Sequence, residues 1–431
     1  MRNAMKSYFD KACQNNRIDS SLYRTYSVKM GLRNEDGTGV LVGLTRISDV
    51  VGYRRQNHQK IDTQGKLYYR GIDIEDLIVE KDFLFERTCF LILFGYLPNN
   101  KDLKLFHEYL SNRYKLPYHF LEDHILGSPS KNLMNKLQQV VLMLYEYDKD
   151  PDNGDAYETL MKGIDLIAKL PFLMCYTYST KLHYYSHESL VIHHRNKDYG
   201  IAGTILSLLR PDGKFSRMEE NALDIALVLH ADHGGGNNST FTNVVISSTG
   251  TDLYSSIAGA IGSLKGPRHG GANLAVKKQM ELAIQEIGVD ASDEDINLIV
   301  NRILDKDFHD RSGLIYGIGH AVYTLSDPRS VILERKCYEL SIEKHREKEF
   351  SFYQRFARIS VQEIFRRKNK HVCSNVDFYS GLLYDMLEIP SDIYTLLFVC
   401  SRVVGWVGHN VENKLYANKI IRPATQYVGM K

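Results

Sequence analysis

Several short segments of this chain carry residue types that could move protons or hold an anion. The first is Leu229-His230-Ala231-Asp232-His233, followed by Gly234-Gly235-Gly236-Asn237. Two histidines three apart share one face of a helix end, and the glycines stop that helix. A histidine in a last turn faces the negative end of the helix dipole. That favours its cation, which suits a carboxylate ligand. Simple C-terminal capping uses the same residues equally well. Two imidazoles at this spacing would also begin a metal site, but no Glu or Cys stands where it would complete one.

The second segment, Gly266-Pro267-Arg268-His269-Gly270-Gly271-Ala272-Asn273, sets His269 in a glycine-walled turn beside a helix N-terminus. Glycines there let a ligand approach the backbone closely. The third runs from Gly317-Ile318-Gly319-His320 to Ser326-Asp327-Pro328-Arg329. Ser326 or Asp327 caps a helix with Pro328 in its first turn. Arg329 then meets the positive end of the dipole, and an anionic partner would relieve it. The fourth, Asn375-Val376-Asp377-Phe378, puts Asp377 just before an apolar helix, where N-capping is the commonest job. Arg402 is embedded in the apolar run LLFVCSRVVGW, and a buried arginine needs an acidic partner from protein or substrate.

The elements that must position these residues read as mainly α. Residues 219–233 and 273–287 have helical apolar spacing, as do 329–347, and 352–367 continue that pattern. The small-residue run SSIAGAIGSL before His269 suits close helix packing. Strand-like pieces occur only near 39–45 and 66–70. Glycines at 234–236, 266–271, 317–319 and 408 punctuate the helices. The polar stretch 145–158 reads as a loop.

Bulk properties narrow the function classes. The 431 residues are 43% hydrophobic and 25% charged, an ordinary globular composition. With 54 basic against 52 acidic side chains, no charge excess points to nucleic acid. Six cysteines with no Cys-x-x-Cys pair argue against a disulfide scaffold and for a reducing compartment. The start, MRNAMKSYFDKACQNN, lacks the apolar core of a secretory signal. No run of about 18 apolar residues predicts a membrane span. The expectation is a cytoplasmic enzyme with no membrane or nucleic-acid partner.

Taken in order, the segments resemble the citrate synthase family, in its bacterial type. The resemblance begins at Leu67-Tyr68-Tyr69-Arg70-Gly71-Ile72 and Leu93-Phe94-Gly95-Tyr96-Leu97-Pro98. It runs through HADHGGGN, GPRHGGAN, GIGHAVYTLSDPR, NVDFYSG and RVVGW to IIRPATQYVG. It implies a nearly all-α fold, with a large helical domain from 1–271 and 383–431. A smaller helical domain at 272–382 closes over the substrates. It also implies condensation of acetyl-CoA with oxaloacetate and water to citrate and CoA, in a homodimer or higher homo-oligomer. His269, His320 and Asp377 fall on the family's catalytic positions. His233, Arg329, Arg402 and Arg422 fall on those that hold oxaloacetate, Arg422 being lent to the partner chain's site. Gly317 and Lys370 are candidates for CoA contact. No metal or cofactor is implied, since the CoA thioester is a substrate.

The match has departures. Thr324 stands where the family often has a cation for CoA phosphate, and Lys370 could compensate. Gly234 stands where many members have Glu. One methylene in an acyl pocket discriminates by only about 1–3 kcal/mol, so a 2-methylcitrate synthase using propionyl-CoA is the nearest alternative. A metal-dependent hydrolase built on the His230–His233 pair is the alternative of another class.

Overall fold

The computed structural model describes residues 2–56, 59–79, 82–417 and 419–429. They form two units, one from the chain ends (up to Gly43 and from Ile421) and one from residues 44–420. The first holds helices Arg2–Asn15 and Ser20–Thr25, the latter started by Asp19, whose carboxylate accepts the Ser21 N–H. Arg422 lies in this unit, exposed, in a stretch without helix or strand.

The second unit is mainly α, and its helix starts are written in the sequence. Ser216 with Glu219, and Ser292 with Asp295, form capping boxes for helices Arg217–His230 and Asp293–Leu304. Asp327 caps Pro328–Glu343, with Pro328 at the first helical position. The expected helix at 273–287 is Ala272–Ile287, stopped by Gly288 at φ 82°.

Three expectations need correction. The helical pattern at 329–347 is broken: Pro328–Glu343 ends, His345 turns left-handed at φ 54°, and Glu347–Lys368 begins anew. The charged run KHREK has no glycine to signal that break. Gly408 does not punctuate a helix; it lies inside Tyr394–Tyr416. A Cβ there would stand 3.0 Å from Ile47 and 3.2 Å from Ile92, so the glycine is a spacer between packed elements. Residues 39–45 form no strand, only an isolated bridge between Gly39 and Arg33. The sheet is instead the antiparallel hairpin Ser48–Gln56 and Gln59–Tyr69 plus a short third strand, Ile72–Asp73. Ser48 pairs with Tyr69, and the register shifts between Val51 and Tyr53.

Helix Tyr394–Tyr416 runs through the core against Ala156–Lys181. At their crossing Gly163 lets Val407 approach: an added Cβ would be 2.3 Å from it. The small-residue run before His269 does pack closely, since a Cβ on Gly259 would lie 2.2 Å from Ile246 of helix Asn238–Ser247. Among the described residues, no helix is long and apolar enough to cross a membrane. Helices Ala272–Ile287, Asp293–Leu304, Pro328–Glu343, Glu347–Lys368 and Val376–Met386 pack chiefly on one another.

Candidate active site

His233 leaves helix Arg217–His230 just beyond its last turn. The backbone there is braced by Tyr69, whose hydroxyl lies 3.0 Å from the Val228 carbonyl and 3.1 Å from that of Asp232. The buried Asp232 carboxylate accepts from the Ser48 hydroxyl at 2.5 Å and meets His409 Nε2 at 3.1 Å. Burial opposes its charge, yet His409 and Arg402 hold its carboxyl well below the usual range. A Cβ on Gly405 would come within 2.6 Å of the Ala231 carbonyl, so that glycine admits this turn against helix Tyr394–Tyr416.

His320 stands edge-on to His233, ring centroids 5.1 Å apart, and stacks on Tyr323 at 4.8 Å. Its Nδ1 accepts the N–H groups of Val322 (3.0 Å) and Tyr323 (3.1 Å). An imidazole nitrogen that accepts carries no proton, so the ring proton sits on Nε2. The residues before His320 are stitched to those before Asp377. Gly319 N–H donates to the Cys373 carbonyl at 2.7 Å, and Asn375 N–H to that of Gly317 at 2.8 Å. Asn375 Nδ2 donates to the Gly319 carbonyl at 2.7 Å.

Asp377 is not the cap of its helix. Asn375 caps Val376–Met386 by accepting the Asp377 N–H at 3.0 Å, which leaves the aspartate carboxyl for other work. Burial pushes that carboxyl up to about 6, and Arg329 and Arg402 only partly counter it.

His269 Nε2 lies 3.4 Å from Ser239 N–H and 3.1 Å from Ser239 Oγ. The two contacts ask for opposite tautomers: Ser239 N–H asks Nε2 to accept, whereas Ser239 Oγ, whose own proton goes to Asn237, asks it to donate. The Ser239 hydroxyl is itself held by Asn237 (2.9 Å) and Trp406 (3.3 Å). Burial, with Arg402 nearby, lowers His269 to about 4.

The cationic histidines expected from the helix dipole are not there. Burial drives His230 to about 3, and burial with Arg329 drives His233 well below its ordinary value. Desolvation outweighs a dipole contribution of about 0.3–1 kcal/mol. The pair also diverges: His230 gives Nδ1 to the Ala226 carbonyl at 2.8 Å and packs edge-on against Phe398, whereas His233 faces His320. Among the described residues, no group of three or more His, Cys, Asp or Glu stands ready for a metal ion.

Positive charge comes from two buried arginines. Arg329 already has an anion: Asp327 takes its Nε at 3.0 Å and Nη2 at 2.7 Å. The partner expected from a ligand is thus, in part, the cap residue two positions earlier. Among the described residues Arg402 has no such hydrogen-bonded anion. It is 0% exposed, gives Nε–H to the His230 carbonyl at 2.7 Å, and lies over the Phe398 ring at 4.7 Å. Its Nη1 and Nη2 are buried without hydrogen bonds, as are His230 Nε2 and His233 Nε2. Burial pushes Arg402 down to about 10, so it stays charged at neutral pH. Its charge is felt by Asp377, His269 and His233. Buried unpaired donors beside a cation make a receptor for an anion with several acceptors.

The remaining sequence candidates have separate settings. Gly317 is buried at φ 77°, with Phe378 and Val276 each 2.8 Å from where a Cβ would stand, so packing alone accounts for it. Lys370 is exposed after helix Glu347–Lys368. Thr324 Oγ1 is buried without a partner. Sequence reading missed Phe398, Ser239 and Ser48, and it gave Tyr69, within a segment of the resemblance, no part in the site. An aromatic four residues before Arg402 was the visible signal for the first.

A family model described as citrate synthase, C-terminal domain, matches residues 32–424. The citrate synthase of Haloferax volcanii is 33% identical over 398 residues, 91% of this chain and 95% of its own. The 2-methylcitrate synthase of Shewanella oneidensis is 32% identical over 365 residues, 84% of this chain and 89% of its own. Crystalline citrate synthase from Pyrobaculum aerophilum has the same fold, with TM-score 0.75, 28% identity and 91% of each chain covered.

Proposed function

The chain belongs to the citrate synthase family, and from that premise we propose that it condenses acetyl-CoA with oxaloacetate and hydrolyses the citryl thioester to citrate and CoA. The unpaired fork of buried Arg402 carries the reading, because it asks for a carboxylate. Arg402 and Arg329 supply charge for oxaloacetate, while neutral His233 supplies a hydrogen bond. His320, protonated on Nε2, donates to the ketone oxygen and makes its carbon electrophilic.

The acetyl methyl is a weak carbon acid. Asp377, ionised at pH 7 but more basic than an ordinary carboxylate, removes its proton. His269, in the tautomer that accepts Ser239 N–H, donates Nδ1–H to the thioester oxygen, so that a full enolate charge need not develop. The resulting carbon nucleophile attacks the polarised ketone. Water then cleaves the thioester, with the carboxylates still held by the arginines.

The finer points of the reading rest on the family. Residues 272–382 form the lobe that closes over the substrates, Lys370 and Gly317 contact CoA, and Arg422 enters a partner chain's site in a homodimer. The enzyme works in the cytoplasm. A 2-methylcitrate activity has its own support in the Shewanella relative.

Thiol release from acetyl-CoA and from propionyl-CoA, each with saturating oxaloacetate, tests the reading. A higher kcat/KM for acetyl-CoA is expected. A propionyl preference overturns the acyl choice, and no release from either overturns the activity. Undiminished turnover after chelation is the outcome that excludes a hydrolase built on His230 and His233.

A further inference from the structure

The loop from His320 to Arg329 has no regular structure before its helix, yet it carries a histidine at one end and an arginine at the other. Its hold on the rest of the unit comes largely from the hairpin. Ser326 Oγ–H donates to Gln64 Oε1 at 2.6 Å and accepts Gly65 N–H at 3.0 Å. Tyr323, stacked on His320, donates its hydroxyl to the Lys66 carbonyl at 3.3 Å. Two hairpin glycines let the loop lie against the strands: a Cβ on Gly52 would be 2.4 Å from the Val322 carbonyl oxygen, and one on Gly65 2.1 Å from that of Ser326. The same hairpin reaches the His233 turn, where Ser48 binds Asp232 and accepts Gly234 N–H at 3.0 Å.

We propose that the hairpin Ser48–Tyr69 is the positioning element that sets His320 against His233, with Ser326 as the residue that locks the loop in register. The proposal rests on the assignment of His320 to the ketone. Ser326 touches no substrate in this reading. Its hydroxyl spends its proton on Gln64 and its lone pair on Gly65, so it fixes the loop both along and across the strand. A misplacement of about 1 Å at a reacting group costs roughly a hundredfold in rate, whereas losing the two Ser326 hydrogen bonds, one exposed and one part-buried, costs stability only about 1–3 kcal/mol. Positioning and stability are therefore separable.

The test is Ser326→Ala beside Ser326→Thr in the full chain, with kcat, both KM values and the melting temperature. Ser326→Ala is expected to lower kcat about tenfold or more, with KM for the acyl-CoA within twofold and a melting temperature lowered by only a few degrees, so that the chain is fully folded at the assay temperature. Ser326→Thr, which keeps the hydroxyl, restores most of kcat. Gly65→Ala gives a second reading, because its Cβ drives the loop off the strand while Ser326 remains; it too lowers kcat. Wild-type kcat in both Ser326→Ala and Gly65→Ala overturns the proposal. So does a loss that only follows the unfolded fraction. A parent enzyme inactive with either thioester would instead fail the underlying function.

Discussion

The Nε–H of Arg402 donates to the carbonyl oxygen of His230 across 2.7 Å, and among the described residues nothing receives the guanidinium's other end. A buried cation with one backbone hydrogen bond, and with Asp232 acting on it through charge alone, is a poor stabiliser, because burial still outweighs what it gains. It is a good receptor, because the cost of burying it is met before the ligand arrives. Arg402→Met should therefore raise KM for oxaloacetate by roughly a hundredfold, about 3 kcal/mol. The melting temperature of the free protein should stay level or rise, while added oxaloacetate should lose its stabilising shift. Steady-state kinetics and thermal melts with and without oxaloacetate check both halves.

Asp377 gives a pH prediction with a definite sign. Its carboxyl titrates near 6 when folded, against an ordinary 3.8. Between those values the folded protein holds more proton than the unfolded chain, so this group's contribution to stability falls as pH rises from about 4 to about 6. Asp377→Asn should thus stabilise the protein above pH 6, by about 1–3 kcal/mol. As general base the group must be ionised. Activity should rise about tenfold per pH unit below 6 and level off above it. Asp377→Asn should lower kcat by about a thousandfold. A pH–kcat/KM profile and melts at pH 4.5 and 7.5 measure these.

How much of this site was legible depends on what each residue's neighbours are. Asp327 was readable as a cap because capping is local, one residue from Pro328. Its ion pair with Arg329 was not read, since an arginine's partner is set by side-chain direction rather than spacing. Taken alone, the segment of Asp377 reads as a cap, and only the resemblance makes it catalytic; the capping is done by Asn375, two residues earlier. The histidine charges were misread because burial, a tertiary property, decides them. The helices were legible where caps flank an apolar period, as at Ser216 and Glu219. The hairpin was legible only at its end, near 66–70, where strand Gln59–Tyr69 closes: Gly52 interrupts the alternation of its first strand, and its inward glycines answer to a loop some 260 positions away.

His320 offers a test of tautomer apart from fold. Two backbone N–H groups donate to Nδ1, which puts the ring proton on Nε2. In His320→Asn the side-chain oxygen can take over the Nδ1 contacts, but no donor reaches the Nε2 position. Melting should change little, while kcat falls by about 10²–10³-fold, the usual cost of one lost donor to developing charge. A large melting loss with proportionate activity loss would mean that the ring is mainly structural. Kinetics and calorimetry on the same preparation separate the two.

Gly317 and Gly319 flank Ile318 and both have positive φ, 77° and 102°, but their surroundings differ. A Cβ on Gly317 meets Phe378 and Val276 at 2.8 Å, whereas one on Gly319 meets nothing within 4 Å. Gly319→Ala then suffers backbone strain alone, about 1–2 kcal/mol. Gly317→Ala adds a clash with packed core atoms, and together these should destabilise by about 2–5 kcal/mol. Phe378 follows Asp377, and the Gly317 carbonyl accepts the Asn375 N–H. The clash thus pushes on the segments that carry both His320 and Asp377. Gly317→Ala should lose activity even at temperatures where it is fully folded, and it should lose more than Gly319→Ala. Chemical denaturation of both variants, with kcat measured well below each midpoint, decides it. Equal stability losses would show that the contact with Phe378 relaxes without cost.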